Sequence, residues 1–397
     1  MSRKRIVATA ALLAGAMALT ACGGSSSSSG SSGGSSGGGG GQTVKIGFMG
    51  DLTGENSGIV IPPKQGAQLA IDEYNATNPK TKVQLVTYDS QADPSQATSL
   101  AQKALKDDKI VGLIGPAFSG ESKTTDPVLE EGQVPSISPS ATNVTLSQNS
   151  WKFWHRIVAN DAAQGAGAAG YIADGPKAKK VFVIDDNQEY SKGLADVVTS
   201  TLTGKSIAVQ RDKIDQNGSD YSSTVNKIKA DSPDAIFYGG YYAQAGRLLK
   251  QLRQAGVTAR FLSGDGSLDP GLAKGAGSTN ADGAIVACPC LIDPTGTANP
   301  ASKTFADAYK TKFGSPPSIY SAEGYDAATA FINAIKAGNT DAVKINDFLK
   351  TIDVGGVSKQ IKFQDNGEPF GGDVYLYEFK GSTYSLLGKA SDNPTPK

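Results

Sequence analysis

Val181-Phe182-Val183-Ile184-Asp185 is a continuous apolar run that ends on an acid, and what surrounds it decides the fold. The polar stretch from Asp185 to Tyr190 leads into a helix expected from about Ser191 to Leu202. The alternation continues with a strand at Ala208 to Arg211, a helix from about Tyr221 to Ala230, a strand at Ala235 to Gly239 and a helix from Ala243 to Ala255. Short strands near Phe261 and Ile285 follow. The same order has already run once upstream. Val44 to Met49 is a buried-strand candidate, and Ala67, Ala70, Ile71 and Tyr74 then recur at helical spacing. Val83, Leu85 and Thr87 alternate, Asp93-Pro94 opens a helix, and Ile110 to Gly115 is a third strand. Apolar strands alternating with helices predict parallel sheets covered on both faces. Two such sets predict an α/β chain of two doubly wound, Rossmann-like lobes. Ligands of such sheets bind beyond the carboxyl ends of the strands. That directs attention to the loops at 50–63, 115–122, 136–142, 185–190, 239–242 and 263–267, all rich in small polar residues or Tyr.

The amino terminus has a different grammar. Ser2-Arg3-Lys4-Arg5 is a basic leader, Ile6 to Leu19 is apolar and too short to span a bilayer, and Leu19-Thr20-Ala21-Cys22 follows at once. This last tetrad resembles the bacterial lipobox, which implies cleavage before Cys22 and its lipidation. Residues 23–41 are only Gly and Ser, a coil with a typical reach of roughly 25 Å that cannot bury apolar surface. The remaining chain, about 355 residues, exceeds what one core usually serves.

Composition excludes several functions. Lys plus Arg and Asp plus Glu both number 38, and no basic run follows the leader, so no nucleic-acid partner is expected. His155 is the only histidine, which rules out His-Glu-x-x-His zinc sites, and no Gly-x-Ser-x-Gly elbow is present. Flanked by Trp154, it is expected to be structural. No metal, cofactor or catalytic residue is predicted. Cys288 and Cys290 bracket Pro289. Two arrangements stay open for them, a tight disulfide in an oxidising compartment or two free thiols near a strand.

Two motifs mislead. Gly165-Ala166-Gly167-Ala168-Ala169-Gly170 matches a dinucleotide fingerprint, but it lies inside an Ala-rich helical stretch with no strand before it. Small residues for close helix packing explain it better. Asp215-Gln216-Asn217-Gly218-Ser219-Asp220 lacks the turn Gly and closing Glu of a calcium loop, and reads as a solvated turn.

The loop sequences carry a family resemblance. Leu52-Thr53-Gly54, Tyr88-Asp89, Ile114-Gly115-Pro116 with Ser119, Ser138-Pro139-Ser140-Ala141-Thr142, Arg156, Asp161 with Gln164-Gly165, Tyr190 with Gly193, and Tyr238 to Tyr241 occur in order across nearly the whole chain. Together they resemble the Leu/Ile/Val-binding proteins of bacterial ABC importers, within the type I periplasmic-binding-protein fold. The resemblance implies residues 1–21 as lipoprotein signal peptide, 22–41 as lipidated Cys and tether, 42–160 plus 289–372 as lobe 1, and 161–288 plus 373–397 as lobe 2. A three-crossing hinge would pass near Asp161, Cys288 and Asp373. It further implies Ser119, Ser140, Ala141 and Thr142 around a ligand's zwitterion, Asp265 as counter-charge to its ammonium, and Phe118, Ile59, Tyr190, Tyr241 and Tyr320 around its side chain. Asp161 would serve the hinge or the lip of the cleft. Physical chemistry supports the zwitterion: a carboxylate suits hydroxyls and a helix N-terminus, and an ammonium suits an acid. Where the family usually has Glu, this chain has Asp265, one methylene shorter.

The expectation is therefore a monomeric, lipid-anchored, extracytoplasmic solute-binding protein. It would take a branched-chain or other apolar amino acid to an ABC permease and perform no chemistry. The alternatives are a non-amino-acid ligand, such as an amide, a urea-like compound or an aromatic acid, and a sensing input to a signalling receptor.

Overall fold

The computed structural model describes residues 41–395, so the leader, Cys22 and most of the Gly/Ser tether lie outside the described residues. The strands in chain order are β1 (Gln42–Gly50), β2 (Thr81–Asp89), β3 (Gly112–Ile114), β4 (Ser136–Ser138), β5 (Trp154–Arg156), β6 (Lys180–Asp185), β7 (Ala208–Lys213), β8 (Ala235–Tyr238), β9 (Arg260–Ser263) and β10 (Ile285–Cys288). A two-residue pair, β11 (Val354–Gly355) and β12 (Gln360–Ile361), precedes a final hairpin of β13 (Tyr375–Lys380) and β14 (Thr383–Lys389).

They form two main sheets. The first has the order β2-β1-β3-β4-β5 and is wholly parallel. The second has the order β14-β13-β10-β9-β8-β6-β7. Its strands from β6 to β10 run parallel, whereas β13 pairs antiparallel with β10 and with β14. The parallel strands expected from the sequence are present in both sheets, and the second sheet adds that terminal antiparallel hairpin. Setting the hairpin aside, both sheets share one winding, in which the second strand flanks the first and the later three run the other way. Each sheet thus has a switch point, between β1 and β3 and between β6 and β8, where two loops diverge and leave a crevice.

The main helices are α1 (Ile61–Ala76), α2 (Pro94–Lys103), α3 (Ser119–Glu131), α4 (Asp161–Asp174), α5 (Glu189–Gly204), α6 (Ser222–Asp231) and α7 (Tyr242–Gln254). Two short ones, α8 (Pro270–Ala276) and α9 (Ser278–Ala281), precede α10 (Pro300–Phe313), α11 (Ser321–Lys336) and α12 (Ala342–Leu349). Local chemistry fixes several starts. The Asp93 carboxylate accepts the Ser95 amide at 2.7 Å just ahead of Pro94, and the Asn160 side chain accepts the Ala162 amide at 3.0 Å at the head of α4.

The chain passes between the layers three times: after β5 into α4, after β10 toward α10 and α11, and again before β13. Helices α10 and α11 return to pack on α1. The contact is backbone-close: a Cβ on Gly66 would lie 2.0 Å from the Ser321 carbonyl oxygen, and one on Gly324 would lie 2.1 Å from that of Pro63. Only glycine permits that approach. In the stretch that mimics a dinucleotide fingerprint, Gly165 plays the same part, since a Cβ there would meet Val197 at 2.7 Å. Gly170 has nothing within 4 Å and no such role.

His155 is buried, with Nδ1 3.3 Å from the Ser136 carbonyl, and burial pushes its pKa down to about 4, so the ring is a neutral packing group. Cys288 and Cys290 are joined in a disulfide at the end of β10. Among the described residues no helix is long and apolar enough to cross a membrane.

These contacts set opposite outcomes for one substitution. Gly324→Ala forces a methyl onto backbone and is expected to cost about 1–3 kcal/mol or more, lowering the denaturant midpoint. Gly170→Ala, in open space within α4, is expected to raise the midpoint by adding about 0.5–1 kcal/mol of stability.

Candidate functional site

The loops leaving the two switch points meet. From the first sheet, β3 runs through Gly115 and Phe118 into α3, placing Ser119 at the helix's first turn, where the leading N–H groups lack intrahelical acceptors. The Ser119 hydroxyl accepts the Asn143 amide at 3.2 Å. That contact ties the start of α3 to the loop after β4, which carries Ser140, Ala141 and Thr142.

This loop is held from below by Arg156. Its Nη1 donates to the Ala141 and Asn143 carbonyls at 3.0 and 2.9 Å, and its Nε donates to Glu368 at 2.9 Å. A second bond from Nη2 to Glu368 completes the bidentate pair. The guanidinium is fully buried, and the Trp154 ring lies 5.0 Å below it. Thr142 is thereby fixed with its hydroxyl buried beside the Asp161 carboxylate, in no hydrogen bond of good geometry. The Ser140 hydroxyl is occupied, donating to the Ala117 carbonyl at 2.8 Å. Ala141 also has its amide engaged, by Ser138 Oγ at 3.0 Å.

Opposite stands Asp265, after β9. It is buried, and its carboxylate accepts from Gln164 Nε2 at 2.5 Å, from the Tyr190 hydroxyl at 2.8 Å and from the Tyr320 hydroxyl at 2.5 Å. These donors come from α4, the start of α5 and the residue before α11, so one carboxylate gathers three distant elements. Burial raises its pKa, while those hydrogen bonds oppose the rise. Burial also holds both tyrosines far above their ordinary values, so they remain hydroxyl donors.

Asp161 opens α4, one turn before Gln164, with its amide on the Thr142 carbonyl at 2.8 Å. Both of its carboxylate oxygens are buried without a partner of good geometry. Burial first, and the Asp265 charge second, push its pKa up to about 8. Sequence reasoning gave Asp161 to the hinge or lip; it lies at the first passage between the layers, beside Thr142 and within the field of Asp265. Gln164 and Asn143 were not singled out for the site. Gln164 bridges Asp265 and the Ala287 carbonyl at 2.7 Å, while Asn143 reaches across the cleft to the Glu189 carbonyl at 2.7 Å.

Three rings form an apolar wall. Tyr241 meets Phe118 edge-on and Tyr190 at a tilt, each with centroids 5.2 Å apart. Phe118 comes from the first layer and the tyrosines from the second. Beyond the wall lies a cavity of about 660 Å³ that the three rings line together with Glu121, Lys123 and Asp186. Ile59 ends the turn after β1 and is buried in the same apolar core as Phe118. Among the described residues no group of three or more His, Cys, Asp or Glu could hold a metal ion. Ser119, Thr142, Asp161 and Asp265 do not line that cavity; they form a buried polar group whose hydroxyls and carboxylates are chemically suited to the two ends of a zwitterion.

Comparison with known proteins agrees with this architecture. The family described as "Periplasmic binding protein" matches residues 43–383. A leucine-, isoleucine-, valine-, threonine- and alanine-binding protein of Pseudomonas aeruginosa is 28% identical over 341 residues, covering 85% of this chain and 90% of that protein. The crystal structure of a leucine-binding protein, LivK, from Thermotoga maritima aligns with a TM-score of 0.81 and 29% identity, over 89% of this chain and 99% of that one. A solute-binding protein of an ABC transporter from R. palustris, in complex with benzoate, aligns at 0.78 with 18% identity over 88% and 96% of the two chains, and shows the fold alone.

The buried acids make stability depend on pH. Asp161 and Glu121 both have folded pKa values near 8, well above those of an unfolded carboxyl, so the folded state holds protons that the unfolded state releases. Their contribution is favourable below about pH 4 and is lost as pH rises toward 8. Thermal unfolding of the ligand-free protein is expected to fall over that window, and Asp161→Asn to flatten part of the fall.

Proposed function

This chain belongs to the periplasmic binding protein family, and on that premise we propose that it is the lipid-anchored solute-binding protein of an ABC importer. It captures an amino acid, branched-chain or otherwise apolar, in the cleft between its two layers and hands it to a membrane permease, without catalysing a reaction. The family implies an extracytoplasmic location. The observation that carries the ligand class is the pair of buried carboxylates, Asp161 and Asp265, together with the Thr142 hydroxyl, which is in no hydrogen bond of good geometry, and the head of α3.

Two buried acids side by side repel, and a single ammonium placed against them relieves both. Asp265 already accepts three hydrogen bonds and, with about four lone-pair directions, retains room for one more donor. The two free oxygens of Asp161 offset its short side chain. The ligand's carboxylate then lies toward Ser119 and Thr142, where a 13-residue helix presents its positive end. The side chain faces Phe118, Tyr190 and Tyr241, whose apolar faces favour an aliphatic group. Closure brings the second-layer tyrosines onto a ligand first held by Ser119 and Thr142, the hinge motion that such folds use.

Thermal unfolding of ligand-free protein, scanned against the twenty amino acids with amides and aromatic acids, tests this. Ligand at about a thousand times its Kd stabilises by roughly 4 kcal/mol, a rise of several degrees for a chain this size. Leucine, isoleucine or valine is expected to give that rise, and Ser119→Ala with Thr142→Ala to remove it while unfolding stays cooperative. A flat response to every amino acid, with a rise for benzoate or an amide, overturns the ligand class. For the anchor, Cys22→Ser is expected to move the protein from the membrane pellet to the soluble fraction in the native host.

A further inference from the structure

The first turn of α11 faces two ways. Tyr320 reaches Asp265 in the cleft, while Glu323, three residues on, lines a separate cavity of about 160 Å³. The other walls are Pro289 and Leu291, next to the disulfide, Lys359 in the loop before β12, and Gly372 with Asp373 just ahead of β13. Two of the three passages between the layers therefore border this space.

Its charges are unusual. Glu323 is 2% exposed and one of its carboxylate oxygens has no hydrogen-bond partner. Among the described residues the Lys359 ammonium makes neither a hydrogen bond nor an ion pair, though it lines the same cavity. The two feel each other's charge without meeting. Asp326 and Asp373 also add their charge to the field at Lys359, but neither makes an ion pair with it, and both are engaged elsewhere. Asp326 accepts the Val357 and Ser358 amides at 2.7 and 2.8 Å and the Ser358 hydroxyl at 2.5 Å, and Asp373 pairs with Lys389 at 2.7 Å. A buried carboxylate and a sheltered ammonium left apart are each costly, and each is relieved by an opposite charge. A zwitterion supplies both. At about 30 Å³ per water-sized group, the space holds about five such groups, the number of non-hydrogen atoms in glycine.

We propose that this cavity is a second binding site, for a small amino-acid zwitterion the size of glycine, with its ammonium on Glu323 and its carboxylate on Lys359. The occupant bridges α11 to the passages at 289–291 and 372–373. Because Tyr320 and Glu323 share one helical turn, it is coupled to the cleft, and the coupling acts equally in both directions.

Equilibrium dialysis of radiolabelled glycine against the full chain carrying Ser119→Ala and Thr142→Ala isolates this site from the cleft. One saturable site is expected there, weakened at least about tenfold when Glu323→Gln or Lys359→Gln is added. Cooperative thermal unfolding establishes that each variant folds, and Lys359, in a surface loop, serves where Glu323→Gln does not. Absence of saturable glycine binding, meaning a cavity that holds water only, overturns the proposal. So does glycine binding that Lys359→Gln leaves unchanged, an outcome that would instead locate it in the cleft.

Discussion

The ion pair between Arg156 and Glu368 is the constraint on which the site depends. A guanidinium removed from water is tolerable only if its donors are met, and here they are met by a carboxylate and by the carbonyls of Ala141 and Asn143. The carboxylate is shared: Glu368 also receives the Asn160 side chain at 3.1 Å, and Asn160 in turn caps α4. One buried charge thus fixes the loop bearing Thr142, the helix start bearing Asp161, and a segment some two hundred residues later. The Arg156 partner holds the Glu368 pKa below its ordinary value, whereas at Asp161 the more distant Arg156 charge does not outweigh burial and the Asp265 charge.

The links that join the layers across the cleft are of another kind. Lys123 meets Glu189 at 2.9 Å, Arg247 meets Glu55 at 3.3 Å, and the Tyr242 hydroxyl donates to the Glu55 carbonyl at 2.5 Å. The ion pairs are substantially exposed, and such pairs contribute about 0–1 kcal/mol each. A few bonds of that strength leave an opening equilibrium within reach of a ligand's differential affinity. The deep network around Asp265 differs because its partners come from several elements and exclude water, so it is worth forming only when everything converges.

Much of this was legible in the chain. Apolar strand runs such as Val181 to Ile184, and helices such as that after Asp93-Pro94, are set by local periodicity and capping, and they lie where the sequence put them. Ser119, Thr142, Tyr190, Asp265 and Tyr320 were named through the family resemblance, and each lies on a loop at a strand's carboxyl end or at a helix start. The terminal hairpin was not legible. Tyr375 to Lys380 alternates no more clearly than a surface segment, and its place beside β10 is decided by contacts ninety residues away. Gln164 was hidden in an Ala-rich helix whose composition signals packing, and Asp161 looked like a boundary residue. Their shared signal, an acid and an amide three positions apart at a helix head, acquires meaning only once Asp265 is known to lie across from them.

The backbone-close crossing of α1 and α11 carries a consequence for the order of assembly. The first layer is closed by contacts such as that of Tyr325 with Glu73, 252 residues earlier in the chain. Until α11 has emerged, α1 has no partner for the face that Gly66 presents, and the apolar side of the first sheet stays uncovered. The portion made first is therefore completed nearly last. A nascent chain of this design remains incompletely folded through most of its synthesis or passage across a membrane, and acquires its stability late and together.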